Sequence, residues 1–301
     1  MPKIYSKRLV NARNMVHDAF KNHYAIGHFN INNLEWTKAV LETAQSTNTP
    51  IILATSEGAI KYMGGVKVVR GMVDALMETL DITVPVALHL DHGQSVEMAK
   101  ECIDNGYSSV MFDGSHLPFE ENLAKAKEVV EYAKQHDVSV EAEIGSIGGE
   151  EDGVVGEGEL GDPEQAKKMV ETGIDFLAAG IGNIHGPYPD WWKGLNFDQL
   201  GKIEDAIHFP LVMHGGSGVP QDQVEKAISL GVAKVNINTE LQLAFQKATR
   251  EYILANKDTD MKAKGFDPRK LLKPGYQAIQ AEMKNLIEWM GSIGKADQIE
   301  K

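Results

Sequence analysis

Three histidines in this sequence are each followed by glycine, and each pair follows a run of apolar residues. The pairs are His92-Gly93, His185-Gly186 and His214-Gly215. In a chain with 10 histidines and 29 glycines, fewer His-Gly pairs than this are expected by chance. Three neutral imidazoles that converge on one divalent ion leave a coordination position open for substrate. The pattern therefore predicts a metal site. Three separate histidines, each hydrogen-bonded to a nearby carbonyl, are the alternative.

Carboxylates stand beside these histidines in the sequence. Asp91 directly precedes His92, while Asp113 and Glu143 lie at or near the ends of two other apolar runs. A carboxylate close to a divalent cation stays ionised, so it can bind the metal, orient a ligand or accept a proton. An aspartate at such a position is also common as a turn or helix-capping residue. For Asp113 both interpretations stand.

A glycine-rich, acidic segment follows one of these runs. It extends over Gly145–Gly161 and contains 7 glycines and 5 acidic residues in 17 positions. A loop of this length in a compact domain more often forms a lid or carries a catalytic group than serves only as a connection. We expect a mobile segment whose carboxylate serves a proton transfer shielded from water, with a merely solvated loop as the alternative.

Two short segments near the end of the apolar pattern are suited to an anion. One is His214-Gly-Gly-Ser217-Gly and the other is Asn236-Ile-Asn238-Thr239, and a helical pattern follows each of them. Backbone amides at a helix N-terminus bind phosphate, because the unpaired N–H groups and the helix dipole both favour negative charge. These segments predict a phosphate site.

Such groups need a framework that brings strand ends together. Eight near-continuous apolar runs alternate with amphipathic stretches, a pattern typical of parallel strands covered on both faces. The predicted strands are Ala25–Phe29, Pro50–Ala54, Pro85–Leu90, Ser108–Phe112, Val138–Ile144, Asp175–Ala179, Pro210–Met213 and Ala233–Ile237. The predicted helices are Leu34–Ser46, Val66–Leu80, Val96–Asp104, Phe119–Lys134, Pro163–Thr172, Phe197–Ile207, Gln221–Leu230 and Glu240–Ala255.

Eight tandem β–α units predict an α/β protein with a (β/α)8 TIM barrel, more economically than two doubly wound domains. Enzymes with this fold carry their reacting groups at the C-terminal ends of the strands. Two segments fall outside the eight units: an amphipathic helix over Ser6–Lys21, suited to plug the lower end of the barrel, and helices within Pro268–Met290. We expect residues 1–301 to form one barrel domain with a C-terminal helical extension from about residue 265.

Composition excludes several classes of function. With 30 Lys and Arg against 43 Asp and Glu, the net charge of −13 argues against binding nucleic acid through its phosphates. The single cysteine, Cys102, is expected to be a packing residue. No signal-peptide profile and no apolar run of ~18 residues occur, so we expect a cytoplasmic protein without a membrane partner. Seven further histidines are expected to be surface or packing residues: His17, His23, His28, His89, His116, His136 and His208.

Seven short sequence motifs between Tyr24 and Arg269 resemble the motifs of a known protein family. They are His89-Leu-Asp91-His92-Gly93, Phe112-Asp113-Gly-Ser, Glu141-Ala-Glu143-Ile-Gly, Gly148-Gly-Glu150-Glu151-Asp152, Gly182-Asn-Ile-His185-Gly186, His214-Gly-Gly-Ser217-Gly and Val235-Asn236-Ile-Asn238-Thr239. The chain resembles the class II, zinc-dependent fructose-bisphosphate aldolases, in the short form of Gram-positive bacteria.

The resemblance implies reversible cleavage of fructose 1,6-bisphosphate into dihydroxyacetone phosphate and glyceraldehyde 3-phosphate, in glycolysis and gluconeogenesis. It implies that His92, His185 and His214 bind one catalytic Zn²⁺ per chain, which polarises the ketone and stabilises the enediolate. Asp91 would exchange the proton of the C4 hydroxyl, and Glu151 would move the proton on the carbon next to the carbonyl.

The resemblance also implies further ligands. Asp113 and Glu143 match a more buried, alternative metal position. Substrate contacts would come from Asn30, Ser56, Gly186, Gly215, Gly216, Ser217, Asn236, Asn238 and Thr239, with a monovalent cation (Na⁺ or K⁺) beside them. Arg269 would reach the distal phosphate from a neighbouring subunit of a homodimer or homotetramer. Some family members carry Asp in place of Asn238 and Lys in place of Pro189, and Lys193 is the candidate to replace that lysine charge.

Other functions stay open at this point. Tagatose 1,6-bisphosphate differs from the fructose compound only in the configuration at C4. A phosphosugar isomerase or epimerase would also use a metal and carboxylates, and an inert barrel could serve phosphate binding or surface adhesion. No lysine follows a predicted strand in a setting typical of a Schiff base, so imine chemistry is the weaker mechanism.

Overall fold

The computed structural model describes residues 8–151 and 154–299, and at its centre eight parallel strands form a closed barrel. In chain order these strands are β1 (Ile26–Asn30), β2 (Ile51–Thr55), β3 (Val86–Gly93), β4 (Ser109–Phe112), β5 (Ser139–Ile144), β8 (Phe176–Ala179), β10 (Leu211–Met213) and β11 (Val232–Ile237). Each predicted strand overlaps one of them. The predicted (β/α)8 TIM barrel is confirmed.

All residues of these eight strands are buried, which explains why they appear in the sequence as continuous apolar runs. The predicted end of the third strand is wrong. β3 continues to Gly93, because Gly93 pairs with Phe112 of β4 across an irregularity in the register. Asp91 and His92 therefore lie within the strand, at its C-terminal end.

The helices follow the predicted pattern closely. They are α1 (Arg13–Lys21), α2 (Leu34–Ser46), α3 (Glu57–Met63), α4 (Val66–Thr79), α5 (Val96–Asp104), α6 (Phe119–Lys134), α7 (Pro163–Glu171), α8 (Phe197–Ile207), α9 (Gln221–Ser229), α10 (Thr239–Leu254), α11 (Pro268–Leu271) and α12 (Lys273–Trp289). Only α3 among the helices of β–α units was not predicted. It is too short for a periodic signal, and Ser56 caps it by accepting a hydrogen bond from the Ala59 N–H.

Helix α1 closes the lower end of the barrel, as predicted. Its buried residues Met15, Val16 and Ala19 pack in one apolar cluster with strand residues such as Ile26 and Ile52. The helix begins at Arg13 rather than at residue 6, because Leu9 is held in an extended segment by a bridge to Val86. The first two residues of the predicted helix, 6 and 7, lie outside the described part of the chain.

The glycine-rich segment is more regular than predicted. It contains β6 (Gly148–Glu151) and β7 (Val154–Gly156), which pair antiparallel, and β6 also pairs in parallel with the short strand β9 (Ile184–His185). In this second sheet Gly149 lies opposite His185. His185 is therefore held by strand pairing, several residues beyond the end of β8.

The C-terminal helices pack against the outside of the barrel. Ile279, Met283, Leu286 and Ile287 of α12 are buried, and this helix contacts α2 and α10. Within residues 8–151 and 154–299, no helix combines the length and the apolar character needed to cross a membrane.

Candidate metal and substrate site at the barrel mouth

The upper half of the barrel interior contains two layers of polar side chains. Side chains two residues apart on a strand point to the same face, so a strand can place one residue in each layer. Four strands do so with buried pairs: His28 and Asn30 on β1, His89 and Asp91 on β3, Glu141 and Glu143 on β5, and Lys234 and Asn236 on β11. The apolar cluster around α1 fills the interior below them.

The histidines of the three His-Gly pairs meet at the mouth of the barrel. The ring centroids of His92 and His214 are 4.5 Å apart, those of His92 and His185 are 4.9 Å apart, and those of His185 and His214 are 5.9 Å apart. One ligand atom from each ring lies within 4.8 Å of the others. Since Zn–N bonds are about 2.0–2.1 Å long, small side-chain rotations would bring these nitrogens to a common ion.

Hydrogen bonds from opposite sides orient two of the rings. Nδ1 of His92 lies 2.7 Å from Oδ2 of Asp113, and Nε2 of His214 lies 2.7 Å from Oε1 of Glu141. The two remaining nitrogens, Nε2 of His92 and Nδ1 of His214, face each other at 2.8 Å. Asn183 fixes the backbone beside this point by donating to the carbonyl oxygen of His214 at 2.8 Å. The donor set fits a divalent metal with imidazole ligands.

Electrostatics at this point favour a cation. Burial opposes protonation of His92, but its hydrogen bond to Asp113 and the charge of Asp91 raise its pKa to about 10. Burial and the neighbouring His92 lower the pKa of His214 to about 4, and the same two causes lower the pKa of His185. Neutral His185 and His214 can donate lone pairs to a metal, and the carboxylates that stabilise a protonated His92 would also stabilise a divalent cation.

Asp91 is held as an ionised group beside the histidines. Its Oδ2 accepts a hydrogen bond from Nδ2 of Asn30 at 2.8 Å, and its Oδ1 lies 3.5 Å from Nδ2 of Asn236. Burial alone would raise the pKa of this carboxyl, but His28 and His92 hold it well below its usual value. Asp91 is thus a fixed carboxylate that can accept a proton.

A second cluster shares one histidine with the first. His92, Asp113 and Glu143 each offer a ligand atom within 4.8 Å of the others. Burial and the charge of Asp113 raise the pKa of Glu143 well above its usual value, and among the described residues its Oε2 is buried without a hydrogen-bond partner. A cation at this point would satisfy that oxygen.

The predicted phosphate groups gather around a small cavity of about 20 Å³ next to the histidines. Its lining comprises Asn30, Asp91, His185, Gly186, His214, Gly215, Ser217, Asn236, Asn238 and Thr239. The hydroxyl of Ser217 accepts from the N–H groups of Asn238 and Glu240 at 3.3 Å each, at the start of α10. Gly215 has φ +63, and a Cβ there would collide with the backbone of Ile184.

A larger cavity of about 560 Å³ lies on the other side of His92 and His185. Asp113 and Glu143 line it together with Glu157 and Glu159 of the glycine-rich segment. The two cavities share His185, so the histidine cluster stands between a wide acidic opening and a small pocket rich in amides.

Several predicted site residues lie away from these cavities. Ser56 uses its Oγ to cap α3, and the N–H of Gly216 donates to the Asn236 carbonyl at 3.0 Å. Arg269 is exposed, paired with Asp267, and lines a separate cleft of about 380 Å³ between α2 and the C-terminal helices. Lys193 lines neither cavity. Glu151 ends β6, and its side chain is outside the described part of the structure.

Three groups that hold the site together were not predicted from the sequence. Glu141 and Lys234 lie one layer below the metal ligands, and the signal was available: each precedes a predicted site residue by two positions in a buried strand. The hydroxyl of Tyr188 accepts from the N–H of Ile184 at 3.1 Å and donates to the carbonyl of Gly215 at 2.7 Å. No strand or helix periodicity identifies Tyr188, because it lies in an irregular segment.

Cys102 and three of the seven further histidines lie in the interior or at a cavity. Cys102 is buried in α5 and burial raises the pKa of its thiol, so the packing role is confirmed. His28 and His89 are fully buried inside the barrel, where Nδ1 of His89 lies 2.7 Å from the Ser109 hydroxyl. They belong to the polar interior rather than to an apolar core. His116 lines the larger cavity.

Comparison with known proteins identifies relatives over nearly the full length. The profile of the family described as fructose-bisphosphate aldolase class-II matches residues 10–295. A fructose-bisphosphate aldolase of Streptococcus pneumoniae serotype 4 is 58% identical over 292 residues, which cover 96% of this chain and 99% of the relative. The fructose-bisphosphate aldolase of Mycoplasma pneumoniae is 57% identical over 288 residues, covering 96% of this chain and 100% of the relative.

A solved structure agrees with these sequence relatives. The crystal structure of a putative fructose-1,6-biphosphate aldolase from Coccidioides immitis superposes with a TM-score of 0.83 at 31% sequence identity. The match covers 95% of this chain and 97% of that one, so the similarity extends over the barrel and the helices around it.

Proposed function

This chain belongs to the class-II fructose-bisphosphate aldolase family, a family of metal-dependent lyases, and from that premise we propose a role for each group at the barrel mouth. The enzyme cleaves fructose 1,6-bisphosphate reversibly into dihydroxyacetone phosphate and glyceraldehyde 3-phosphate, a step of glycolysis. The observation that carries the proposed roles is the convergence of the histidines, with Nε2 of His92 and Nδ1 of His214 only 2.8 Å apart.

His92, His185 and His214 hold one Zn²⁺ per chain. When bound, the metal supplies a Lewis acid that polarises the ketone of the substrate and offsets the negative charge that develops on its oxygen. Asp113 keeps His92 oriented through the 2.7 Å contact to its Nδ1. His92, Asp113 and Glu143 offer the alternative, more buried position for the ion. Oε2 of Glu143 supports it, because this oxygen is buried and has no hydrogen-bond partner within residues 8–151 and 154–299.

Asp91 is the acid–base group for the C4 hydroxyl. It accepts the hydroxyl proton as the C3–C4 bond breaks and the aldehyde forms, and it returns that proton in the condensation direction. Its low pKa and the amide hydrogen bond from Asn30 support this role, because they keep a charged acceptor in one orientation. Glu151, from the segment that pairs with the strand of His185, moves the proton on the carbon next to the ketone.

The amide-rich pocket receives the phosphate of the ketose. The start of α10 and the loop after β10 supply N–H groups and the hydroxyl of Ser217, which suits a dianion at a helix N-terminus. The family resemblance also implies a monovalent cation, Na⁺ or K⁺, beside these phosphate-binding groups.

The distal phosphate is bound across a subunit boundary. Arg269 lies in a cleft separate from the histidine site of its own chain, which supports a contribution to a neighbouring subunit. We therefore infer a homodimer or homotetramer. We also propose that residues 1–301 form one domain and that the protein acts in the cytoplasm. The phosphosugar is the proposed partner molecule, and neither nucleic acid nor membrane takes part.

The test is an aldolase assay on the purified full-length chain with fructose 1,6-bisphosphate and, separately, tagatose 1,6-bisphosphate. Triose phosphate release is followed through a coupling enzyme, which also distinguishes cleavage from isomerisation or epimerisation. Treatment with a chelator abolishes the activity and Zn²⁺ restores it. Glu151→Ala lowers turnover strongly while the metal content stays at one ion per chain. Unchanged turnover would remove Glu151 from the mechanism, and a metal-loaded chain inactive on both ketoses would overturn the assignment.

A further inference from the structure

An ion pair is enclosed in the polar layer directly below the metal-binding groups. Nζ of Lys234 on β11 lies 2.9 Å from Oε2 of Glu141 on β5, and both side chains are 0% exposed. Neither residue lines the two cavities of the site, so neither is placed to touch substrate. The pair nevertheless contacts groups that do line them.

The two oxygens of Glu141 serve different partners. Oε2 contacts Lys234, while Oε1 lies 2.7 Å from Nε2 of His214. Lys234 also donates to Oδ1 of Asn236 at 2.7 Å, and Nδ2 of Asn236 lies 3.2 Å from Nδ1 of His214. The same Nδ2 lies 3.3 Å from Nε2 of His214, so Lys234 reaches this ring by two routes, through Glu141 and through Asn236.

Charge determines what Glu141 does to that ring. A carboxylate removed from water stays ionised only beside a compensating charge, which Lys234 supplies. An ionised carboxylate accepts hydrogen bonds and donates none, so it selects the His214 tautomer with the proton on Nε2. In that tautomer the lone pair is on Nδ1, the nitrogen that faces His92 at 2.8 Å.

His92 is oriented in the opposite sense. Asp113 contacts its Nδ1 and leaves Nε2 facing the cluster, whereas Glu141 contacts Nε2 of His214 and leaves Nδ1. His92 and His214 are thus each held by a carboxylate on the ring nitrogen that faces away from the other histidine. Asp113 lines the larger cavity, while Glu141 is fully enclosed and depends on Lys234 for its charge.

We propose that Lys234 and Glu141 form a buried pair of positioning residues that fixes His214 as an Nδ1 ligand of the catalytic metal. The inference rests on the proposed histidine metal site and adds the reason why one of its ligands binds through Nδ1. An ion pair that only supports the barrel interior is the competing explanation. It predicts a loss of stability without a change at the metal.

The test compares Zn²⁺ affinity and Co²⁺ spectra in the full-length chain. In the double variant Glu141→Gln, Lys234→Met both charges are removed together, so no lone charge is left buried. Since changes to groups that orient metal ligands weaken metal binding by 10–100-fold, we expect the Kd for Zn²⁺ to rise by that factor. We also expect the visible absorption bands of the Co²⁺-loaded variant to shift, because they report the ligand geometry.

A matched control separates metal binding from stability. Arg70→Met, Asp74→Asn removes another ion pair with a buried cation, in which Nε of Arg70 lies 2.9 Å from Oδ2 of Asp74 on α4. We expect this control to unfold at a lower temperature while its Zn²⁺ affinity and Co²⁺ spectrum match those of the parent.

The outcomes are distinct. A double variant with the parent's Zn²⁺ affinity and Co²⁺ spectrum would overturn the inference while leaving the histidine site intact. If the double variant does not fold, Lys234→Gln, which retains a polar side chain against Glu141 and Asn236, is measured in the same two ways and decides the question. A parent chain that binds no Zn²⁺ would instead overturn the proposed metal site itself.

Discussion

Nδ1 of His92 lies 2.7 Å from Oδ2 of Asp113, which stands 21 positions further along the chain at the end of the neighbouring strand. The other carboxylate oxygen of Asp113 accepts from both the N–H and the hydroxyl of Ser115, at 3.0 and 2.7 Å. His92 has a left-handed backbone conformation with φ 47. Asp113 is thus itself held by Ser115 while it orients the His92 ring.

Asp113→Asn tests this relationship. The amide cannot supply the negative charge that stabilises the Nδ1–H of His92, so we expect Zn²⁺ affinity to fall by 10–100-fold, as is typical when such an orienting group is changed. A chelator competition titration measures the change. Ser115→Ala, which removes one of the two hydrogen bonds to Asp113, should have a smaller effect. Equal affinities for Asp113→Asn and the parent would show that Asp113 does not orient the ligand.

The sequence was sufficient for the barrel and for the centre of the site, for a physical reason. Parallel strands that are buried on both faces appear in the sequence as apolar runs, and the end of each run marks the mouth of the barrel. His92 and His214 could be placed there directly. His185 was assigned correctly to the cluster for an incomplete reason, since it is held by pairing with Gly149 rather than by the end of a barrel strand.

Lys234 distinguishes metal chemistry from imine chemistry. A lysine that forms a Schiff base must present a neutral amine to the substrate, whereas Nζ of Lys234 is enclosed and contacts Glu141 at 2.9 Å and Asn236 at 2.7 Å. We expect borohydride reduction in the presence of dihydroxyacetone phosphate to leave the mass of the chain unchanged. A mass increase that maps to a lysine peptide would contradict the metal-dependent mechanism.

Tyr188→Phe tests the hydroxyl that joins two parts of the site. Its loss leaves the N–H of Ile184 and the carbonyl of Gly215 without this partner, and an unmade buried hydrogen bond costs about 1–3 kcal/mol. We expect a lower melting temperature and a kcat/KM that falls by about tenfold, since the Gly215 backbone lines the phosphate pocket. An unchanged melting temperature together with an unchanged kcat/KM would show that the aromatic ring of Tyr188 positions the Gly215 loop without its hydroxyl.

Groups such as Tyr188 were beyond sequence reasoning because their role depends on tertiary contacts between irregular segments. The hairpin within the glycine-rich segment was missed for a similar reason: β6 and β7 are short, and their pairing with β9 is not visible in local patterns. Glu141 is different. Its alternation with Glu143 along β5 already placed it on the interior face, so the polar layer below the site was predictable.

Arg269→Ala tests the proposed contribution across subunits. The side chain is 88% exposed and pairs with Asp267 at the start of the same helix, so its removal should leave the melting temperature unchanged. If it binds the distal phosphate of the substrate in a neighbouring subunit, KM for fructose 1,6-bisphosphate rises by about tenfold or more, as expected for the loss of a charge-assisted hydrogen bond. Mixing Arg269→Ala with a site-inactive Asp91→Asn chain should restore activity in mixed oligomers. No restoration would place Arg269 outside the shared site.

His17 on α1 predicts how stability depends on pH at the lower end of the barrel. Burial lowers the pKa of His17, although its contact of 2.9 Å with the Asp175 carbonyl opposes that effect. The folded protein therefore takes up this proton at lower pH than the unfolded chain, whose histidines titrate near 6.5. The stability that neutral His17 contributes is present above the unfolded pKa and is lost as the pH falls through the folded pKa.

His17→Gln removes this titration while keeping a side chain that can hydrogen-bond to Asp175. We expect its melting temperature, measured with a chelator present so that metal release does not contribute, to fall less steeply than that of the parent between pH 7 and pH 5. His136→Gln, which changes an exposed histidine two residues beyond α6, is the matched control, and its curve should run parallel to the parent's. If His17→Gln also runs parallel, the acid sensitivity arises elsewhere, and the buried His28 and His89 of the barrel interior become the next variants to measure, since burial lowers the pKa of each.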